Sequence, residues 1–122
     1  VKKVEAVIRP DRLQAVQDAL DALGASGLTV TEVMGCGAQR GYTETYRGAK
    51  VNISLQRKVK VEAVVGDAVV ENVVEAIAGA ARTGEVGDGK IFILPVEDAV
   101  RIRTGERGDS IVRQLEPEHW GH

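Results

Sequence analysis

The segment richest in potential chemistry is Thr83-Gly84-Glu85-Val86-Gly87-Asp88-Gly89-Lys90. Closely spaced glycines let backbone N–H groups turn toward one point and let a ligand come close to the chain. Lys90 adds a point charge beside that concavity, and the combination suits phosphate oxygens. The spacing is not that of a Walker A motif, in which a Lys-Ser/Thr pair closes the loop. A tight turn with a solvated lysine accounts for the same residues about as well.

Arg101 and Arg103 stand two apart, so on a strand they share a face. Paired guanidinium groups repel unless an anion or carboxylates lie between them, and arginine suits bidentate phosphate contact. Glu97, Asp98 and Glu106 supply the alternative, ordinary surface pairing. Gly35-Cys36-Gly37-Ala38-Gln39-Arg40-Gly41 is a second glycine-rich stretch. Gln39 can hydrogen-bond or offer an oxygen to Mg²⁺, although a lone Gln is usually a polar loop residue. Cys36 has no His near it in sequence to act as a base, which favours a small packing residue over a reactive thiol. His119 and His122, with Glu116 and Glu118, could hold a metal, but a polar tail is the simpler reading. No nucleophile–base pair can be assigned.

These residues need a scaffold, and hydrophobic period predicts one. Val4, Ala6 and Ile8 alternate through residues 2–9 as in a strand. Pro10 suits a first helical turn. Leu13, Val16, Leu20 and Leu23 recur at helical spacing, and Gly24 stands where a helix stops. Residues 28–35 read as a second strand. Residues 36–55 are polar, glycine-punctuated and weakly periodic, a length of chain that is usually functional or mobile. Residues 56–65 alternate again, with Val59, Val61 and Ala63 opposite Lys58, Lys60 and Glu62. Asp67 is a candidate cap for a helix carrying Val70, Val73, Val74 and Ile77 and ending near Thr83-Gly84. Residues 90–95 read as a buried strand and 99–104 as a short alternating piece. The order is β-α-β twice, the split βαβ or ferredoxin-like α+β arrangement.

With 122 residues, one domain is expected. Only 3% of residues are aromatic, so the core must rest on Val, Ile, Leu and Ala. A net charge of −2 gives no global pull toward nucleic acid or anionic membranes, so any anion site is local. One cysteine excludes an internal disulfide and fits a reducing compartment. No apolar run approaches the ~20 residues that span a bilayer. No signal-peptide layout is visible, and the expected location is cytoplasmic.

Together these segments resemble the PII signal-transduction family. The strongest match is Thr83-Gly84-Glu85-Val86-Gly87-Asp88-Gly89-Lys90-Ile91-Phe92-Ile93. Ile8-Arg9-Pro10, the run Gly27 to Val33, Thr43-Glu44, Tyr46-Arg47-Gly48 and Arg101 to Glu106 support it. The resemblance covers roughly residues 1–112, leaving 113–122 as a polar tail that includes Trp120. It implies a ferredoxin-like trimer with ATP or ADP bound between subunits. It also implies a T-loop near 37–55 between the second and third strands, a B-loop near 82–90 and a C-loop near 101–112.

By the same resemblance, Gly87, Asp88, Gly89 and Lys90 hold phosphates from one subunit, while Arg101 and Arg103 reach them from the next. Thr29, Glu62 and Val64 surround the adenine, and Gly35, Cys36, Gly37 and Ala38 flank the nucleotide. Gln39 matches the residue that binds Mg²⁺ between ATP and 2-oxoglutarate. Lys58 matches the lysine that pairs with a 2-oxoglutarate carboxylate, with backbone donors from Gly37 to Gly41. The implied role is regulation of nitrogen metabolism without enzymatic turnover, through targets such as an ammonium transporter or a metabolic enzyme. Direct nucleic-acid binding and membrane insertion are not implied, although a transporter could recruit the protein to a membrane. Slow ATP hydrolysis, or sensing of a different small ligand, are the alternatives.

Three positions depart from the family's pattern. Val51 stands where many members carry a uridylylated tyrosine, and Ala49 where many carry a phosphorylated serine, so neither modification is expected. Ala38 stands where an arginine is common, removing one phosphate-facing charge.

Overall fold

The computed structural model describes residues 1–25, 27–37, 44–46, 49–51 and 54–108; residues 36, 37, 44–46, 49–51 and 54 are described by backbone alone. The main elements are β1 (Lys2–Ile8), α1 (Leu13–Ala22), β2 (Thr29–Gly37), β5 (Ser54–Val65), α2 (Val70–Ala81) and β6 (Lys90–Pro95). They form a four-stranded sheet of order β2-β5-β1-β6, with antiparallel neighbours throughout. Two shorter strands, β3 (Glu44–Tyr46) and β4 (Ala49–Val51), pair antiparallel inside the segment predicted to lack clear structure. The α+β ferredoxin-like arrangement is as the sequence predicts.

Local signals act where expected. Pro10 opens a 3₁₀ turn, Pro10–Arg12, that leads into α1. The chain leaves α1 through bonds from Gly24 N–H to Asp21 O (2.9 Å) and Ala25 N–H to Leu20 O (2.9 Å). Val4, Ala6 and Ile8 of β1 and Val59, Val61, Ala63 and Val65 of β5 point to one side of the sheet. There they meet Val16 and Leu20 of α1 and Val70, Val73 and Ile77 of α2. Among the described residues every buried core member is Val, Ile, Leu or Ala, and none is charged or polar.

Two expectations are corrected. Asp67 does not cap α2: it lies in a 3₁₀ turn, Asp67–Val69, and its carboxylate accepts from the Val1 ammonium at 2.8 Å. Nor is β6 buried. It is an edge strand beyond the cover of the helices, and Phe92 and Ile93 are 47% and 46% exposed. An apolar run at a sheet edge satisfies the sequence pattern of a buried strand while staying partly open among the described residues.

The face away from the helices carries charge. Glu5 and Glu62 are direct cross-strand neighbours, a repulsive placement by itself. Lys3 relieves it by binding Glu62 at 3.0 Å, and Lys60 sits 3.5 Å from Glu5 and 3.7 Å from Glu62.

Ile77→Ala is expected to cost about 2–5 kcal/mol, because a fully buried branched side chain leaves a cavity under the sheet. Glu75→Ala, on the exposed side of the same helix, is expected to stay within about 0.5 kcal/mol. Denaturant unfolding of both variants checks the contrast.

Candidate functional site

The loop between α2 and β6 is folded around one carboxylate. Asp88 accepts from the backbone N–H groups of Thr83 (2.8 Å) and Gly84 (2.9 Å). The Thr83 hydroxyl and Arg9 Nε (3.1 Å) donate to its other oxygen. These donors favour the charged form, the Thr83 hydroxyl foremost, and hold the Asp88 carboxyl well below the usual carboxylate range. The Asp88 side chain is therefore committed to shaping the loop.

Two cations grip the same loop by its carbonyls. Arg9 Nη2 donates to Val86 O at 2.7 Å, and Lys58 Nζ donates to Gly87 O at 2.5 Å. In a trans peptide, C=O and N–H point in opposite directions. Carbonyls aimed at Arg9 and Lys58 thus turn the N–H groups of Gly87 and Asp88 away from those cations. Among the described residues the Gly87 N–H donates no hydrogen bond, and the Asp88 N–H is held only by the loose turn at Val86–Gly87, toward Glu85 O. An unpaired N–H beside a loosely held one suits a small anion-binding concavity.

Glycine is required at the loop's exit. A Cβ on Gly89 would lie 1.7 Å from the Val7 carbonyl oxygen of β1, and Gly89 has φ +98°. The missing side chain lets the loop lie directly against β1 before Lys90 pairs with Val7.

Strand register places most of the remaining predicted residues together. Lys58, Glu62 and Val64 alternate with the buried residues of β5, so they lie on the sheet face away from the helices. Thr29 lies opposite Glu62, and Gly35 opposite Gln56. Lys58 is next to Val59, whose β1 partner is Ile8, so Arg9, Lys58 and Lys90 gather at one end of the sheet. Glu62 is four residues further along β5, roughly 13 Å away. Its carboxylate is engaged by Lys3, which lowers its pKa. Cys36 and Gly37 end β2 at the Lys58 end. Ala38, Gln39 and Gly41 lie outside the described residues.

The predicted pairing of Arg101 and Arg103 on a strand face is corrected. Residues 101–108 turn back on themselves through Gly105 N–H to Arg101 O (2.7 Å) and Arg101 N–H to Glu106 O (2.8 Å). Val100 then bridges Arg107. Arg101 Nη1 lies 3.4 Å from Glu106 Oε1, one of the carboxylate partners offered by the sequence.

Arg9 is the site residue whose role the sequence reading missed. Its signal is the following proline, which restricts Arg9 to extended backbone at the end of β1 (φ −66°, ψ 139°). A cleft of about 260 Å³ beneath the loop is lined by Ile77, Ala81, Arg82 and Lys90 among others. It opens beside α2 and shares Asp88, Gly89 and Lys90 with the loop, but it does not reach Thr29, Lys58 or Glu62.

Gly89→Ala is expected to destabilise the protein by more than about 3 kcal/mol, since the added carbon meets backbone and cannot rotate away. Gly84→Ala, also at positive φ but facing open space, is expected to cost roughly 1–2 kcal/mol. Thermal unfolding separates the two. A depressed carboxyl contributes stability above its unfolded pKa and loses it as pH falls through the folded value. The Asp88 tie is therefore expected to persist through the ordinary carboxylate range and fail only below it. A carbon-detected NMR titration placing the Asp88 midpoint near the unperturbed value of about 4 contradicts this.

Comparison with known proteins bears on most of the chain. The family model described as "Nitrogen regulatory protein P-II" matches residues 1–106. A protein of that name from Cereibacter sphaeroides is 55% identical over 112 residues, covering 92% of this chain and 100% of the relative. One from Rhodospirillum rubrum is 52% identical, and one from Nostoc punctiforme 54%, both over the same shares. With the four-stranded sheet, the two helices and the glycine loop at its end, these matches show that the chain belongs to the PII family of signal-transduction regulators of nitrogen metabolism.

Proposed function

We propose that this protein works as a homotrimer that senses ATP or ADP together with 2-oxoglutarate and controls its targets through the segment near 37–55. The observation that carries the nucleotide part is the unpaired Gly87 N–H beside the loosely held Asp88 N–H, backed by Arg9 and Lys58 and flanked by Lys90. That arrangement fits phosphate oxygens: donors are held in place before the ligand arrives. In this reading Gly87, Asp88 and Gly89 act through their backbone, and Lys90 supplies charge. Thr29, Glu62 and Val64 lie along the same face toward the adenine, with Gly35, Cys36, Gly37 and Ala38 beside the nucleotide.

Arg101 and Arg103 come from the neighbouring subunit. Arg101 must exchange Glu106 for phosphate when the neighbour's nucleotide is bound, a swap of one anionic partner for another. The exposed apolar edge at β6, with Phe92 and Leu94 on the helix-free face, supports burial between subunits.

Gln39, outside the described residues, would hold Mg²⁺, which would supply positive charge against phosphate and carboxylate oxygens; no group of three His, Cys, Asp or Glu residues is placed to hold a metal among the described residues. Lys58 receives a 2-oxoglutarate carboxylate, assisted by backbone donors from Gly37 to Gly41. ATP with 2-oxoglutarate then favours one arrangement of the 37–55 segment and ADP another. The coupling between effectors must be reciprocal. Targets such as an ammonium transporter or a nitrogen-assimilation enzyme read the difference. Val51 and Ala49 remove the hydroxyls that relatives modify, leaving small ligands as the inputs. The commitment of Asp88 to Thr83, Gly84 and Arg9 supports a binding role for the loop over a hydrolytic one.

Calorimetry is expected to show 2-oxoglutarate binding at least about tenfold tighter with Mg-ATP than with Mg-ADP, a coupling of about 1.4 kcal/mol. Arg103→Ala is expected to weaken ATP binding about tenfold or more through loss of a charge-assisted contact. Equal 2-oxoglutarate affinity in both nucleotide states rules the sensing scheme out.

A further inference from the structure

Lys58 faces two demands. Its ammonium rests on the Gly87 carbonyl at 2.5 Å, and the function proposed above assigns the same group to an effector carboxylate. Its stem passes close to two glycines. A Cβ at Gly35 would lie 3.4 Å from Lys58 Cγ, and one at Gly87 would lie 3.5 Å from Lys58 Nζ. The side chain therefore runs between the end of β2 and the phosphate loop, tethered to β5. A carboxylate is a stronger acceptor for an ammonium than a neutral carbonyl.

We infer that Lys58 is a positioning residue for the phosphate loop, acting as a latch: its bond to the Gly87 carbonyl sets the Gly87–Asp88 peptide plane, and a carboxylate effector that draws the ammonium away releases that plane. The bond fixes where the Asp88 N–H points, because the peptide is planar and trans. Gly87 has φ +104° and no side chain, so this one peptide can rotate when released. Arg9 continues to hold Val86 O and Asp88, which confines the change to a single peptide unit. The effector and the phosphate concavity thus communicate within one protomer, through one side chain. The second half of the inference rests on the sensor reading; the first half does not.

The test uses the full chain with no 2-oxoglutarate present. Hydrogen exchange is followed over residues 84–90 in nucleotide-free protein, and ADP affinity is measured by calorimetry. Lys58→Met is expected to speed exchange in the loop about tenfold and to weaken ADP binding about three- to tenfold. Lys58→Arg, which can still reach a carbonyl, is expected to restore most of both. Lys60→Met is the control, since Lys60 shares the face but binds Glu5 and Glu62. If Lys58→Met does not fold, Lys58→Gln carries the same comparison. Wild-type exchange and wild-type ADP affinity in the variant overturn the latch and leave the sensor reading standing. Failure of the unmodified chain to bind ADP sinks the sensor reading instead, and the exchange measurement still decides the latch.

Discussion

A peptide group cannot offer its carbonyl and its N–H to the same side. The loop after α2 is organised by that constraint. Arg9 and Lys58 approach from the sheet and take the carbonyls of Val86 and Gly87. The Gly87 and Asp88 amides are thereby turned the other way, the first without a partner among the described residues and the second held only in the loose turn at Val86–Gly87. Everything else nearby serves the same geometry. Asp88 closes the loop on Thr83 and Gly84, Gly89 permits contact with β1, and Pro10 holds Arg9 extended at the strand's end. The anion-binding character proposed for the loop comes from cations that need not touch the anion.

What the sequence discloses follows the range of the interactions involved. Strand alternation, the Leu13–Leu23 helical stripe, Pro10 and Gly24 depend on neighbours a few residues away, and those elements stand where the pattern puts them. The Gly87–Lys90 loop was legible for a similar reason, since glycine spacing is a local property. Arg9 was not legible as a site residue because its partners are 77 and 79 positions away. Asp67 has the chemistry of a cap, but the chain makes a 3₁₀ turn first and the carboxylate finds an ammonium. Arg101 and Arg103 alternate as strand residues do, yet Gly105 allows a turn whose backbone bonds outweigh the pattern. In each case a contact distant in sequence, or a competing local turn, displaced a sound local expectation.

The sheet's two faces divide the labour. One is aliphatic and sealed by α1 and α2, which makes the strands a stiff platform. The other carries Lys3, Glu5, Lys60 and Glu62 in mutual contact, so its charges are largely internally compensated. Lys58 shares that face but is aimed elsewhere, at the loop. Membership of the PII family gives the arrangement its context, in which small effectors set the state of a regulator. The Lys3, Glu5, Lys60 and Glu62 cluster and the apolar residues of β6 are compatible with the proposed association into trimers, because neither brings an uncompensated charge into a subunit contact.

The all-aliphatic interior also decides what light can report. Phe92 stands on the open side of an edge strand, outside a core in which no described ring is buried. Near-ultraviolet ellipticity normally tracks rings locked within a packed interior. Here the Phe92 contribution to such a spectrum reflects what covers that strand, and it can change while the aliphatic interior stays fully packed.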